Sequence, residues 1–288
     1  MLKFGYADTP HGQVHYAEAG NGTPLLLLPG SARSYRQFVP LLQSLSPRYR
    51  AIAIDTLGYG ASAPLPPGGG IVTLAEGVVG VLDALGIAAA HVFGIHTGHK
   101  VAAALAAQWP GRVLRVIIAG KSHSIIPGQQ ERNAFILARL QGRTHLRVTG
   151  PDVVAPDLAT WMRLSRSIQA FWWNETLLAA PEQAERIEST RLKIVDEIVS
   201  LPCTGPIYHA NFQFDFAAAA RRIQAPCLVL EITHPSEDAA IGRQGEAFAA
   251  HIAGARVATL PSVDETGLHC NADNAQLTRC IVDFLEAA

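Results

Sequence analysis

The chain of 288 residues carries few charges, and the two signs nearly cancel. Charged residues make up 16% of the sequence, the formal net charge is −1, and no block of basic residues occurs. Nothing in this pattern favours a nucleic acid or an anionic membrane surface as a partner. Hydrophobic residues reach 49%, which is typical of a globular protein with a well-filled core rather than of a disordered chain.

Long apolar runs are also missing. No stretch approaches the roughly 20 consecutive apolar residues of a transmembrane helix, so we expect no membrane partner. The first residues, MLKFGYADTPHG, lack the apolar core of a secretion signal, so we expect a cytoplasmic location. The four cysteines show no C-x-x-C spacing, which in that location favours reduced, structural thiols.

Short strand patterns alternate with helical patterns over most of the chain. Residues 25–28, 51–54 and 113–119 are apolar runs, typical of parallel strands that are buried on both faces. Residues 73–85 are typical of a helix that ends at Gly86. Further strands are predicted at 12–18, 225–230 and 256–260, and further helices after residue 96 and at 242–252 and 275–285. This alternation predicts an α/β fold, with a mostly parallel sheet and helices on both faces.

The pattern changes in the middle third of the sequence. From about residue 122 to residue 216 the strand-like runs disappear, and helical patterns with aromatic residues replace them. We therefore predict a core formed by 1–122 and 218–288, with a helical cap at 123–217 inserted between two strands of the sheet. Ligands of open α/β sheets bind at the carboxyl ends of the strands, where such a cap would enclose a small molecule.

The sequence is organised around residues 90–106. There a short apolar run ends at a glycine, turns, and continues as an alanine-rich helical pattern. The spacing of Gly94 and Gly98 is that of the nucleophile elbow, G-x-S-x-G, which places a serine on a tight strand-to-helix turn. Glycines are needed there because the turn crowds the backbone. In this sequence the central position is occupied by His96.

Five short motifs occur in an order that is typical of one protein family. They are Leu28-Pro29-Gly30-Ser31, Asp55-x-x-Gly58-x-Gly60-x-Ser62, Gly94-Ile95-His96-Thr97-Gly98, Trp109-Pro110-Gly111-Arg112-Val113 and Gly267-Leu268-His269. On these motifs the chain resembles α/β-hydrolase-fold proteins with a helical cap, nearly from end to end. It departs from the family pattern at Pro29, where a histidine is usual, and at His96, where a serine is usual.

The resemblance implies a nucleophile, a histidine base, a carboxylate that orients the base, and backbone N–H donors that bind an oxyanion. His269 takes the position of the base. The backbone N–H groups of Ser31 and Thr97 are the implied oxyanion-hole donors. The family's usual acidic motif is missing after the strand at 225–230, and counting back from the next strand places Glu237, or else Asp238, near the acid position.

His96 is open to four interpretations. It is a nucleophile that forms an acyl-imidazole, or a general acid or base that works with His269. In a third interpretation His96, His269 and Glu237 bind a metal ion, although their spacing is not diagnostic of a metal site and we predict none. In the fourth, the catalytic residue has been lost and the protein only binds a ligand.

Three further residues are candidates for substrate binding. His123 follows the strand at 113–119, so it is expected near the carboxyl edge of the sheet. Trp172 and Trp173 belong to the predicted cap, and aromatic side chains commonly line small-molecule pockets. Both tryptophans are also compatible with the packed interior of the cap.

The sequence therefore predicts a cofactor-independent enzyme that acts on a small carbonyl compound. The resemblance favours hydrolysis of an ester, a lactone or a carbon–carbon bond. The alternatives are a non-hydrolytic lyase, decarboxylase or isomerase in which His96 and His269 form a proton-transfer pair, and a non-catalytic ligand-binding protein. The predicted partner is a small-molecule substrate, and a homodimer is left open.

Overall fold

Eight strands form one sheet in the computed structural model, which describes residues 1–125, 128–140, 181–263 and 272–287. The strands are β1 (Lys3–Thr9), β2 (Gly12–Ala19), β3 (Thr23–Leu28), β4 (Tyr49–Ile54), β5 (Ala90–Ile95), β6 (Val113–Ala119), β7 (Cys227–Thr233) and β8 (Arg256–Pro261). Their order is β1-β2-β4-β3-β5-β6-β7-β8. The β1–β2 and β2–β4 pairs are antiparallel, and the five other pairs are parallel.

Helices cover both faces of this sheet, as predicted. The α-helices of the described residues are α1 (Val39–Leu45), α2 (Ile71–Ala84), α3 (Thr97–Gln108), α4 (Gln129–Leu140), α5 (Pro181–Gln213), α6 (Phe216–Ala220), α7 (Pro235–Ile241), α8 (Gly245–Ala249) and α9 (Asn274–Leu285). Helices α2, α3, α6 and α8 pack on one face, and α1 and α9 pack on the other. Between β6 and β7, the described residues form helices and no strand.

Strand β3 illustrates why the sequence forms a central parallel strand. Successive side chains of a strand point to opposite faces, so Leu26 and Leu28 enter one core while Leu25 and Leu27 enter the other. All four are at most 1% exposed. Each fully buried leucine stabilises the fold by about 1.5–3 kcal/mol. A continuous apolar run is therefore what a strand with helices on both sides requires.

The structure differs from the sequence prediction at strand β1 and at the helix predicted over 242–252, and helix α1 (Val39–Leu45) was not predicted. Strand β1 was not predicted, because Ala7 is the one buried residue along it and the strand lacks a clear alternating pattern. The helix predicted at 242–252 is shorter, running over Gly245–Ala249, and a separate helix precedes it at Pro235–Ile241. Gly242 has a φ of +74°, and a residue in this left-handed conformation ends a helix.

Three of the cysteines, Cys203, Cys227 and Cys280, are free thiols, and Cys270 lies outside the described residues. No helix in the described part of the chain is both long enough and apolar enough to cross a membrane. The division into a core at 1–122 and 218–288 and a cap at 123–217 stays a prediction.

The turn between β5 and α3 allows almost no space for side chains. A Cβ atom on Gly94 would lie 2.2 Å from the carbonyl oxygen of Gly98, and one on Gly98 would lie 2.0 Å from that of Leu28. Both distances are far below van der Waals contact, and the atoms they approach belong to the backbone. The close approach of α3 to the ends of β3 and β5 therefore depends on both glycines.

We expect Gly98→Ala to lower the free energy of unfolding by at least about 3 kcal/mol, because the backbone of β3 or α3 must move to admit the methyl group. Gly111→Ala is the matched control, since no described atom lies within 4 Å of a Cβ placed there. Urea denaturation of the two variants and the wild type measures the difference. Equal losses in the two variants would contradict this account of the turn.

Candidate active site

The loops that follow β3, β4 and β5 come together at one edge of the sheet. These strands are parallel neighbours, so their carboxyl ends lie side by side, which is where open α/β sheets bind ligands. Of the described residues, Ala32 and His96 are the two that combine a side chain with a positive φ, at +56° and +51°. Both belong to these loops. Such strained backbone concentrates at functional sites, at a cost of about 1–3 kcal/mol per residue.

His96 occupies the turn between β5 and α3, with φ 51° and ψ −116°. Its N–H donates to the carbonyl oxygen of Ala119 at 3.1 Å, and its own carbonyl oxygen accepts from the N–H of His99 at 3.1 Å. The first bond connects the turn to the end of β6 and the second to the first turn of α3. Backbone hydrogen bonds on both sides therefore hold the strained conformation.

The imidazole of His96 lies over the end of β6. A Cβ atom on Gly120 would be 2.9 Å from Cε1 and 3.0 Å from Nδ1 of this ring, so the ring occupies the space that the glycine leaves. A Cβ atom on Gly30 would also come within 3.4 Å of His96 Cβ. His96 is partly exposed, while Ile95 and Thr97 on either side are buried. The ring therefore lies at the carboxyl edge of the sheet, between the residues that follow β3 and β6.

A chain of hydrogen bonds connects three polar side chains beside His96. The hydroxyl groups of Ser31 and Thr97 are bonded to each other. Asn211, in the last turn of α5, donates from Nδ2 to Thr97 Oγ1 at 2.6 Å. Because Thr97 accepts from Asn211, its own hydroxyl hydrogen can be donated to Ser31. The two residues predicted as oxyanion-hole donors are therefore neighbours in space, although they are far apart in sequence.

Asp55 explains the spacing of the second sequence motif. Its buried carboxylate accepts from the N–H groups of Tyr35 at 2.7 Å and Ala61 at 2.9 Å, and it pairs with His15 Nδ1 at 3.0 Å. A Cβ atom on Gly60 would lie 2.2 Å from Asp55 Oδ2, so only a glycine allows the loop to close around the carboxylate. Asp55 thus fixes the loop after β3 to the loop after β4.

Lys100 is a buried lysine that none of the sequence motifs pointed to. It is 3% exposed, and no carboxylate among the described residues forms an ion pair with it. Its Nζ donates to the carbonyl oxygen of Asn211 at 2.7 Å, near the C-terminus of α5, where helix carbonyls carry partial negative charge. Burial lowers the pKa of Lys100 from 10.5 to about 7. The one available signal was a lone lysine within an alanine-rich helix, four residues after His96.

His99 lies beneath the site rather than in it. It is 0% exposed, its Nδ1–H donates to the carbonyl oxygen of Ala119 at 3.0 Å, and its ring contacts Phe216 and Phe248. Burial holds its pKa well below 6.5, so the ring is neutral. Tyr59 is also buried, near Ser31, and burial raises its pKa well above the ordinary value. Both side chains are uncharged at neutral pH.

Two acidic side chains near the end of β7, those of Asp238 and Glu231, have hydrogen-bonded or charged partners. Asp238 forms an ion pair with the buried Lys121, which also donates to the carbonyl oxygen of Gly242 at 2.8 Å. Glu237 lies in α7, but its side chain is not among those that the structure describes. Glu231 is buried within β7, where its carboxylate accepts from Gln244 N–H at 2.6 Å. Burial opposes ionisation of Glu231, but hydrogen bonds from Arg243 and from backbone N–H groups outweigh it and lower the pKa.

Four further predicted site residues have no described side chain. His269, Trp172 and Trp173 lie outside the described residues. His123 begins a short 3-10 turn four residues after the end of β6, at the predicted edge of the sheet, but its side chain is not described. The described residues contain no cluster of three or more histidine, cysteine, aspartate or glutamate side chains that could hold a metal ion.

Comparison with known proteins identifies relatives of the sequence. Residues 23–167 match the alpha/beta hydrolase fold family. A putative carbamate hydrolase, RutD, from Caulobacter vibrioides is 29% identical over 153 residues, which cover 52% of this chain and 54% of that protein. A 2-hydroxy-6-oxo-6-phenylhexa-2,4-dienoate hydrolase from Comamonas testosteroni is 32% identical over 172 residues, covering 57% and 54%. The chain therefore spans about half the length of these curated relatives.

Solved structures resemble the whole chain. A hydrolase from Pseudomonas aeruginosa has a TM-score of 0.68 at 23% identity, with 99% of each chain covered. An enol-lactonase from Burkholderia xenovorans has a TM-score of 0.66 at 24% identity, covering 98% of this chain and 100% of that one. At these identities the likeness establishes the fold alone.

The low pKa of Lys100 predicts how stability changes with pH. Between about pH 7 and 10.5 the unfolded chain binds a proton that the folded protein does not, so stability rises with pH in this range. In Lys100→Met this contribution is absent. From pH 7.0 to 8.5 the wild type should gain about 1.5 kcal/mol relative to the variant, measured by urea denaturation at the two values.

Lys3→Met is the control for this experiment, because Lys3 is an exposed lysine on the edge strand β1. Its pH dependence should follow that of the wild type. If Lys100→Met also follows the wild type from pH 7.0 to 8.5, Lys100 remains protonated in the folded state and the prediction is wrong.

Proposed function

The chain belongs to the α/β hydrolase fold family, and on this premise we propose that it hydrolyses a small carbonyl compound without a cofactor. In this proposal the His96 side chain is the group that reacts with the carbonyl carbon. The observation that carries the proposal is the strained backbone of His96, which has a φ of 51° on the turn from strand to helix. The turn presents the partly exposed imidazole at the carboxyl edge of the sheet. Esters, lactones and carbon–carbon bonds next to a carbonyl are the proposed substrates.

The relatives support hydrolysis as the reaction type. The two curated relatives are named as a carbamate hydrolase and a dienoate hydrolase, and both names describe cleavage of a bond by water. Their alignments cover about half of each protein, so the particular substrate of this chain does not follow from them.

In the proposed mechanism, a neutral imidazole nitrogen of His96 attacks the substrate carbonyl. A nitrogen–carbon bond forms, and the carbonyl electrons move onto oxygen to give a tetrahedral oxyanion. The bond to the leaving group then breaks, and His269, protonated at the start of the cycle, donates the proton that the leaving group takes up, which leaves an N-acylimidazolium on His96. Neutral His269 next removes a proton from water, and the hydroxide attacks the acyl carbon and breaks its bond to His96, which restores neutral His96 and protonated His269 and releases the acid. Histidine is among the side chains that form such covalent intermediates.

The proposed oxyanion donors are backbone N–H groups. Thr97 is the first residue of α3, so its N–H belongs to the first turn, where a helix provides no acceptor of its own. The positive end of the helix dipole adds to its effect on an anion. The Ser31–Thr97 hydroxyl contact places the loop that carries the Ser31 N–H beside the start of α3. Because the donors belong to the main chain, they do not require a serine at position 96.

One observation favours a second candidate function. Asp238, one of two candidate acids, is already paired with Lys121, which weakens the case for a carboxylate that orients His269. Two histidines without that carboxylate are suited to moving protons between substrate atoms. In this alternative His96 and His269 serve a lyase, decarboxylase or isomerase, and the same N–H groups stabilise an enolate.

Turnover of short-chain p-nitrophenyl esters tests the proposal. We expect the wild type to hydrolyse them, and His96→Ala and His269→Ala each to lose about 10²- to 10⁴-fold in kcat/KM. His209→Ala is the control, because His209 is an exposed histidine on α5, and it should keep wild-type activity. An acyl group on the peptide that contains His96, detected by mass spectrometry after acid quenching, identifies the nucleophile.

Two other outcomes would reject hydrolysis by His96. If only His96→Ser hydrolyses esters, the oxyanion donors and His269 are in place but the natural reaction is not ester hydrolysis, which favours the proton-transfer alternative. If neither the wild type nor His96→Ser turns over any ester while small carbonyl compounds still bind, the protein is a ligand-binding member of the family.

A further inference from the structure

Helix α5 contacts both backbone segments that carry the proposed oxyanion donors. Asp196 reaches the loop after β3, which contains Ser31, and Asn211 reaches Thr97 at the start of α3. Fifteen residues, about four helical turns, separate the two contacts. Helix α5, which lies between β6 and β7 in the sequence, therefore contacts the candidate site at two separate points.

The Asp196 carboxylate is satisfied almost entirely by the loop after β3. It is 2% exposed. Its Oδ1 accepts from the hydroxyl of Ser34 at 2.7 Å, its Oδ2 accepts from the N–H of Ser34 at 3.1 Å, and Arg36 Nη1 lies 3.2 Å from Oδ1. A buried carboxylate without such partners would cost several kcal/mol. Asp196 and this loop therefore hold each other in place.

The same loop is bound from the opposite side by the core. Tyr35, the residue after Ser34, donates its N–H to Asp55 at 2.7 Å. Two buried carboxylates thus bind consecutive backbone N–H groups, Asp55 from the core and Asp196 from α5. Ala32 stands just before these contacts with a φ of +56°, a strained conformation that persists only when its surroundings impose it.

Asn211 fixes the other segment in two ways. Its side chain donates to Thr97 Oγ1 at 2.6 Å, and its carbonyl oxygen accepts from Lys100 Nζ at 2.7 Å. Both Thr97 and Lys100 belong to the first turn of α3. The first turn of α3, including the Thr97 N–H, is thereby tied to the C-terminus of α5.

We infer that Asp196 and Asn211 are positioning residues for the oxyanion hole, which is complete only when α5 is seated on the core. The inference rests on the proposed function, since it assigns a purpose to the Ser31 and Thr97 N–H groups. Seating α5 fixes the separation of these two donors. Oxyanion donors act mainly on the transition state, so loosening either contact lowers kcat and leaves KM nearly unchanged.

The kinetic test uses Asp196→Asn and Asn211→Ala with a p-nitrophenyl ester as substrate. Asp196→Asn keeps the size of the side chain but faces one Ser34 donor with an NH₂ group. Asn211→Ala removes the bond to Thr97 and keeps the backbone bond from Lys100. Each variant should lose about 10- to 100-fold in kcat, with KM within about threefold of the wild type. Val195→Ala, a change at an exposed neighbour on α5, should alter neither constant by more than about twofold.

A double-mutant cycle separates positioning through Ser34 from a general loss of structure. Ser34→Ala removes the hydroxyl that donates to Asp196, so the double variant with Asp196→Asn should be no slower than Asp196→Asn alone. If the fold-losses in kcat of the two single variants multiply in the double variant, the two residues act independently, which would contradict positioning through Ser34. If Asp196→Asn does not fold, Ser34→Ala and Asn211→Ala still test the two ends of the contact.

Hydrogen–deuterium exchange tests the two contacts without relying on activity. Backbone amides at 30–35 should exchange faster in Asp196→Asn, and those at 95–99 faster in Asn211→Ala, with Val195→Ala like the wild type. Unchanged exchange overturns the inference, and so does faster exchange with an unchanged kcat, or a loss that falls on KM alone. If the wild type has no His96-dependent turnover, the proposed function fails, and exchange alone decides whether α5 holds these segments.

Discussion

The close approach of α3 to the ends of β3 and β5 is the constraint on which the rest of the site depends. Gly98 packs against the carbonyl oxygen of Leu28, and Gly94 packs against Gly98. Because no side chain separates these segments, the chain must pass from strand to helix within one residue, and His96 takes the strained conformation. The buried strands and helices around the turn keep it there, so the stability of the core maintains the geometry of the site.

Buried charges around this turn act on the main chain more than on one another. Asp55 and Asp196 accept from backbone N–H groups, and Lys100 donates to a backbone carbonyl oxygen. A buried polar side chain that is hydrogen-bonded to backbone groups fixes the path of the loop, whereas an ion pair between two side chains fixes only the positions of those side chains. The proposed oxyanion donors are themselves backbone groups, and on the inference drawn above these contacts set their positions.

The sequence predicted those parts of the molecule that depend on local patterns. The strands at 25–28 and 113–119 could be predicted because burial on both faces demands a continuous apolar run. The crowding at Gly94 and Gly98 could be predicted because their spacing is typical of a tight turn from strand to helix, which excludes side chains. Strand β1 has only Ala7 in the core, so it has no such pattern. Contacts of Asp196 and Asn211 join residues more than 100 positions apart, and nothing in a single sequence pairs them.

The main chain and the side chain also have separate roles at position 96, where the sequence has a histidine and the resemblance implies a serine. The close contacts of the neighbouring glycines, and not the side chain at 96, impose the turn, so a histidine can occupy it without rebuilding the loop. Gly120 leaves space for the larger ring. In the proposed function, the geometry that binds the carbonyl persists while the reacting atom is a nitrogen instead of the oxygen of a serine. The fold then provides the place where negative charge develops, and the proposed role of His96 is to determine which bonds are made and broken there.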